Sequence, residues 1–242
     1  MAGIDAFTVL CLQFNEADTS TTTVDSSLTP KTVTANGNVQ TDSGVTKFGN
    51  TSLHDGTGDF WSLADSADWQ LDGGSDSNTW TIDHWVSFNG DPGTNIVGFI
   101  QQYVDDSNYW SFRLDANTLH FRIRSGGANI VDIGQAWNPA TATLYHVAVV
   151  KNGTLGYMHF VNGVQSGTTT TDTSTMPDFA GGLRVGYMRA AGSDFYLNGW
   201  MEEVRISKGI ARWTADFTPP AEQYSVDSVV SFISRITLLG CG

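Results

Sequence analysis

YWSFRLDANTLHFRIRS, residues 109–125, is a hairpin written in alternation. Trp110, Phe112 and Leu114 precede a turn holding Asp115 and Asn117; Leu119, Phe121 and Ile123 follow it, with polar residues between them. Period two on both sides of such a turn marks two antiparallel strands with one buried face. WTIDHWVSF, residues 80–88, alternates in the same way. Trp80, Ile82, His84, Val86 and Phe88 share one face, and Thr81, Asp83, Trp85 and Ser87 the other. YHVAVVKNGTLGYMHFVNGV, residues 145–164, is a second hairpin with Asn152-Gly153 and Asn162-Gly163 as turns. Further strands are expected over 8–14, 60–63, 98–103, 183–187 and 199–206. Roughly a dozen short strands, with no helical period before residue 225, leave a two-sheet antiparallel sandwich or a barrel. The Thr-rich segment 167–175 lies between strands and is expected to be one long loop.

Composition agrees with an ordered β-rich chain. Of 242 residues 15 % are charged and 40 % apolar, with 26 Gly, 8 Trp and 13 Phe, a composition unlike that of disordered chains or coiled coils. The net charge is −13, and residues 1–120 hold 16 acids against 3 bases while residues 121–242 hold 9 of each. Phosphate binding rests on clustered Lys and Arg, so neither nucleic acid nor an anionic membrane is expected as a partner. The N-terminus has no basic region and no small-residue cleavage site, and no run reaches the length of a membrane span; a soluble chain maturing in the cytoplasm is expected. Cys11 and Cys241 lie at opposite ends without metal-binding spacing and are expected to be free thiols.

The order of segments is similar to a known pattern: LQFNEADTSTTTVDSS, TVTANGNVQTDSGVTKFGNTSLHDGTGDFWSLADSADWQL, WTIDHWVSF, YHVAVVKNG, VNGVQ, LRVGY and YLNGWMEEVRISKGIARWTADFTPPAEQY. Over residues 8–224 the chain resembles the laminin-G-like, concanavalin A-like jelly-roll domains, in particular the subgroup found in bacteriophage and environmental viral proteins. The closing EEVRISKGIARWTADFTPP and the opening KFGNTSLHDGTGDF carry most of that resemblance. It implies an all-β, two-sheet antiparallel jelly-roll β-sandwich over residues 1–224, followed by a short C-terminal extension over 225–242. It does not choose among lectins, adhesion modules, glycanase scaffolds and viral surface proteins.

Catalysis is not expected. Glucanases of this fold use carboxylates spaced Glu-x-Asp-x-x-Glu on one strand, and that motif is missing. The chain has four Glu, at 16, 202, 203 and 222, and the adjacent Glu202 and Glu203 are expected on opposite faces of a strand. The histidines at 54, 84, 120, 146 and 159 are scattered and read as packed or surface residues, with inward-facing His84 expected to be hydrogen-bonded. The resemblance implies a structural calcium ion held by Asn15 or Glu16, Gly37 or Asp55, and Glu202, although Asn15 and Glu202 stand where the pattern often has Asp. A ligand face is a third candidate. Arg113, Arg122 and Arg124 share the parity opposite to the apolar residues of the first hairpin, and Trp85, Tyr109 and Trp137 are expected near them, as a sugar or anion platform. The alternative for that face is a solvated sheet whose arginines pair with Asp83 and Asp115.

After Tyr224, SVDSVVSFISRITLLGCG keeps Val226, Val229, Val230, Ile233 and Ile236 at helical spacing, with Phe232, Leu238 and Leu239 adding apolar surface. Exposed, such a tail invites aggregation, so it is expected to dock on another chain. The expected function is therefore a non-enzymatic structural virion protein. It would be a capsid decoration or other head or tail protein, assembled in the host cytoplasm, displayed on the virion surface and anchored by its tail. Its expected partners are a major capsid or tail protein and further copies of itself. The alternative is a carbohydrate-binding lectin or adhesion module with a glycan partner.

Overall fold

The computed structural model describes residues 3–226 and is built from strands. In chain order they are β1 (Thr8–Leu12), β2 (Val33–Asn36), β3 (Gln40–Asp42), β4 (Thr51–Asp55), β5 (Phe60–Leu63), β6 (Thr79–Phe88), β7 (Ile96–Asp105), β8 (Asn108–Asp115) and β9 (Thr118–Ser125). There follow β10 (Ala128–Ala136), β11 (Tyr145–Asn152), β12 (Tyr157–Val161), β13 (Val164–Thr170), β14 (Leu183–Val185), β15 (Tyr187–Ala190), β16 (Ser193–Tyr196) and β17 (Asn198–Lys208). Apart from these, Ala67–Trp69 and Gly153–Leu155 form single 3-10 turns. No helix among the described residues is long and apolar enough to cross a membrane.

Among the described residues all pairings between the named strands are antiparallel, and they give two large sheets. One runs β13-β12-β11-β6-β17-β4-β3 with β1 also on β17; the other runs β10-β9-β8-β7-β14-β5-β2. This is the expected jelly-roll sandwich. The two quoted alternations build its interior: Trp80, Ile82, Val86 and Phe88 face Trp110, Phe112, Leu114, Leu119, Phe121 and Ile123 in one core, with Trp80 and Phe121 rings 4.9 Å apart. His84 points inward as expected but has no hydrogen-bond partner on either ring nitrogen. It sits edge-on to Phe99 and Phe112, and burial pushes its pKa down to about 3.

Three expectations on secondary structure change. The strand expected over 183–187 breaks at Gly186, whose φ of +84° turns the chain out of the sheet, so β15 and β16 form a separate hairpin. The first residues of the Thr-rich loop belong to β13, because β-branched side chains fit a strand paired to β12. In β17 a bulge interrupts the register between Glu202 and Arg205, with Glu203 at φ +52°. The extra residue returns Val204 to the core and leaves Glu202 and Glu203 on the same outer side, not on opposite faces.

The outer face of the eight-stranded sheet is covered by residues 209–224. Trp213 and Phe217 stack at 4.0 Å over Ala148, Val150, Met158 and Phe160. Beyond them Asp83, Arg205 and Tyr224 form a buried polar lock. Both Arg205 Nε and Nη2 donate to Asp83, at 3.0 and 3.3 Å, and the Tyr224 hydroxyl donates to the same carboxylate. Ile4 N donates to Ser225 O, and Val226 bridges Ile4, so the first and last described residues meet on this face. Val226 is the one expected docking residue that is described; Val229, Val230, Phe232, Ile233, Ile236, Leu238 and Leu239 lie outside the described residues, as does Cys241. Cys11 is a buried free thiol whose pKa burial pushes well above its ordinary value.

Candidate functional site

The expected ligand face does not assemble as expected. Arg122, Arg124 and Tyr109 do share the outer face of the seven-stranded sheet, Tyr109 directly across from Arg124. Trp85 is on β6 in the other sheet, so the sandwich separates it from the arginines. There it lies edge-on to Phe48 and His146 with the Lys47 ammonium 5.0 Å above its ring. Trp137 packs into the core against Phe88 and Tyr145. The arginines themselves are closed by neighbours. Both Arg122 Nε and Nη2 donate to the Asp132 carboxylate, at 3.0 and 3.1 Å, while Arg124 donates to Asp106 O and Asn129 Oδ1. Arg113 is only 1 % exposed, tied to Asp115 and Ser111. The partner expected for this face at Asp83 is absent from it, because Asp83 lies on β6 in the other sheet, paired with Arg205 on the neighbouring β17. Self-paired charges of this kind leave little for a ligand.

The expected calcium ligands fall into two groups. Asn15, Glu16 and Glu202 gather around residues 47–50, where N–H groups meet most of their oxygens while Glu16 Oε2 is buried without a hydrogen-bond partner. Glu202 accepts from the amides of Lys47 (2.7 Å), Phe48 (2.9 Å) and Gly49 (3.0 Å). Asn15 Oδ1 accepts from Gln223 Nε2 and Glu16 Oε1 from Val24 N. Gly37 and Asp55 lie at another turn, where Asp55 accepts from Thr57 and Asn38. Asp55 pairs with Asn198, four residues from Glu202 along β17, about 13 Å at the usual strand rise. Calcium takes six to eight oxygen ligands. Among the described residues no three His, Cys, Asp or Glu side chains converge in a way that could hold a metal ion, and the expected ligands stand in two separate groups.

A different site stands at the rim of the sandwich, where β6 ends, β7 begins and β17 starts. A cavity of about 350 Å³ is lined there by Asp91, Asn95, Asp194, Phe195, Tyr196 and Asn198, with Phe88, Ile96 and Val97 as its apolar floor. Its walls are pinned by short-range bonds. Asp91 Oδ1 accepts from Gly93 N at 2.8 Å, Asn95 N donates to Pro92 O, and Asn89 N donates to Asn198 O. The Tyr196 ring is held by stacking on Tyr187 at 4.6 Å, and Tyr187 in turn meets Phe60 at 4.7 Å. Asp194 Oδ1 accepts from Tyr187 Oη and from Arg189 Nη1, both at 2.6 Å. Those two donors, the tyrosine first, hold Asp194 below the ordinary carboxylate value. The cavity thus joins acceptor carboxylates, bifunctional amides and aromatic rings on fixed supports, the composition of a polar small-molecule site.

None of these lining residues was expected from the sequence. Their signal was the two loop strings NGDPGTN (89–95) and SDFYLNG (193–199), each rich in Asn, Asp and Gly, the second with two adjacent aromatics.

Residues 55–212 match the laminin-G-like family model described as the concanavalin A-like lectin/glucanases superfamily. No curated protein matches the chain. Among solved structures, domain 4 of AbnA, an extracellular arabinanase from Geobacillus stearothermophilus in complex with arabinotriose, is similar at 17 % identity and TM-score 0.61, covering 87 % of this chain and 95 % of that one. The binding domain of botulinum neurotoxin serotype D/C is similar at 17 % identity and TM-score 0.62, covering 84 % and 49 %. Botulinum neurotoxin type C, described as entering cells through two ganglioside molecules, is similar at 16 % identity and TM-score 0.60, covering 96 % and 51 %. The chain spans about half the length of these toxin chains. At such identities the likeness is one of fold.

Proposed function

Because the chain belongs to the concanavalin A-like lectin/glucanases superfamily, we propose that it is a glycan-binding module without catalytic activity, whose ligand sits in the rim cavity. The observation that carries this reading is the joining of Tyr196 and Phe195 with Asp91, Asn95, Asp194 and Asn198 around one cavity of about 350 Å³. Sugar rings present C–H faces that stack on aromatics and hydroxyls that both donate and accept, which side-chain amides answer with one group of each kind. The arabinotriose complex of the arabinanase domain supports the same reading by analogy of fold alone. Hydrolysis by a carboxylate pair needs one acid kept protonated near neutral pH. Asp194 is shifted the other way, and Glu202 and Glu203 are 0 % and 1 % exposed, out of reach of a substrate.

The test is binding of the full chain to an array of immobilised oligosaccharides, with Tyr196→Ala and Asn95→Ala as variants. Loss of one stacked ring is expected to weaken binding about tenfold at unchanged melting temperature. An array on which the wild type binds nothing, or on which both variants bind like it, overturns the reading.

Display on a virion surface, with virion proteins as partners, is a second proposal about where the module is carried, and it rests on the closing segment. The polar lock fixes that segment at Arg205, seven residues along β17 from the cavity's Asn198. That is about 20 Å at the usual strand rise.

A further inference from the structure

Resting on the glycan-binding reading of the rim cavity, we infer that this cavity selects glycans without carboxylate or sulfate groups, taking neutral sugars and amino sugars and rejecting acidic ones. The charges around it decide this. Asp91 and Asp194 line it; Asp55 precedes the lining Gly56, and Asp115 pairs in register with the lining Ile96. Among the described residues no Lys or Arg lines it. The cations nearest along these elements are already committed: Arg189 to Asp194 at 2.6 Å, and Arg113, almost fully buried, to Asp115 at 2.9 Å. Those four carboxylates against two cations leave a net negative mouth.

The free atoms point the same way. Asp91 and Asp194 each use only Oδ1 in the bonds described, leaving Oδ2 as an acceptor. A hydroxyl or an ammonium group donates to such an oxygen, whereas a uronate or sulfate brings a second acceptor and a like charge. At longer range the excess of 16 acids over 3 bases in residues 1–120, which supply the loop 89–95, disfavours approach of an anion.

Matched probes test this by calorimetry: galactotriose against trigalacturonate, and N-acetylchitotriose against chitotriose. The acidic member is expected to bind at least about tenfold more weakly than its neutral partner at 50 mM salt, and the amino member at least as tightly as its acetylated partner. Asp91→Asn keeps the acceptor for Gly93 N while removing one charge. It is expected to narrow the acid-to-neutral gap to about threefold, read as the ratio of the two affinities, because Asp91 also contacts the neutral ligand and its loss weakens both. Trigalacturonate binding as tightly as galactotriose, or a gap that Asp91→Asn leaves untouched, overturns the selectivity while the glycan-binding reading stands. Binding of no probe, together with an empty glycan array, overturns both.

Discussion

Asp83→Ala should be among the most destabilising single changes in the molecule, and the reason is the partner it leaves behind. Asp83 is fully buried and receives Arg205 through two nitrogens, the Tyr224 hydroxyl, and His146 Nε2 at 3.4 Å. Removing the carboxylate strands a guanidinium that is itself 0 % exposed. Breaking a buried pair in this way costs about 3–5 kcal/mol, because the remaining charge keeps its full desolvation penalty. For a domain of this size each kcal/mol is worth about 2–4 °C, so calorimetry at pH 7 should show a fall of roughly 6–20 °C. The pH dependence adds a second check. Burial pushes Asp83 up, but the charge of Arg205 and the hydrogen bonds with His146 and Arg205 override it and hold the carboxyl well below the ordinary range. A depressed acid contributes stability that is present above its unfolded value, near 4, and lost as pH falls below it. The gap between wild type and Asp83→Ala should therefore be constant from pH 5 to 8 and shrink below pH 4. Tyr224→Phe removes one donor to an ionised acceptor, about 1.5–3 kcal/mol, and should also expose residues 209–226 to trypsin at Arg212. A loss below about 1 kcal/mol for Asp83→Ala, or a gap that does not narrow at all between pH 4 and pH 2, would refute the account of this lock.

Two further outcomes bear on the same face. Burial raises Glu203 to about 7 even though Tyr224 N and Gln13 Nε2 donate to it. A raised acid contributes stability at low pH that is lost as pH rises through the folded value, so Glu203→Gln should raise the melting temperature at pH 8 and leave it unchanged at pH 4; a variant less stable at pH 8 contradicts this. Because the three amides of residues 47–49 already satisfy Glu202, neither EDTA nor millimolar calcium should move the melting temperature by more than about 1 °C. A ligand bound only by the native state must stabilise it, so a larger shift would restore the metal reading.

The sandwich was legible because its two interior faces are written in period two. Trp80 to Phe88 and Trp110 to Ile123 show the alternation directly, and the positive-φ pair Asn162 and Gly163 shows the turn that joins β12 to β13. What the alternation hides is any place where the count changes. The bulge at Glu203 adds one residue to β17, which moves two carboxylates to the same side; no periodic reading of MEEVRIS anticipates it. Parity also says nothing about which sheet a strand joins. Trp85 and Arg122 both occupy outward positions, yet β6 and β9 lie in different sheets, so their outward faces are opposite sides of the molecule.

The rim cavity was illegible for a further reason. Its two walls, residues 91–96 and 194–198, are about a hundred positions apart and meet only because β17 starts beside both β4 and β6. Asn198 lies across from Asp55 and Gly199 from Phe88. That meeting depends on backbone contact. A Cβ at position 199 would lie 2.1 Å from the Ser87 carbonyl oxygen, so the glycine lets β17 approach the end of β6 closely enough to set Tyr196 beside the loop that carries Asp91. The fold's role in the site is thus positional. The sheets bring one Asn- and Asp-rich loop and one aromatic hairpin to a shared rim, and the selectivity proposed for that rim therefore rests on the charges those segments carry more than on the family to which the sheets belong.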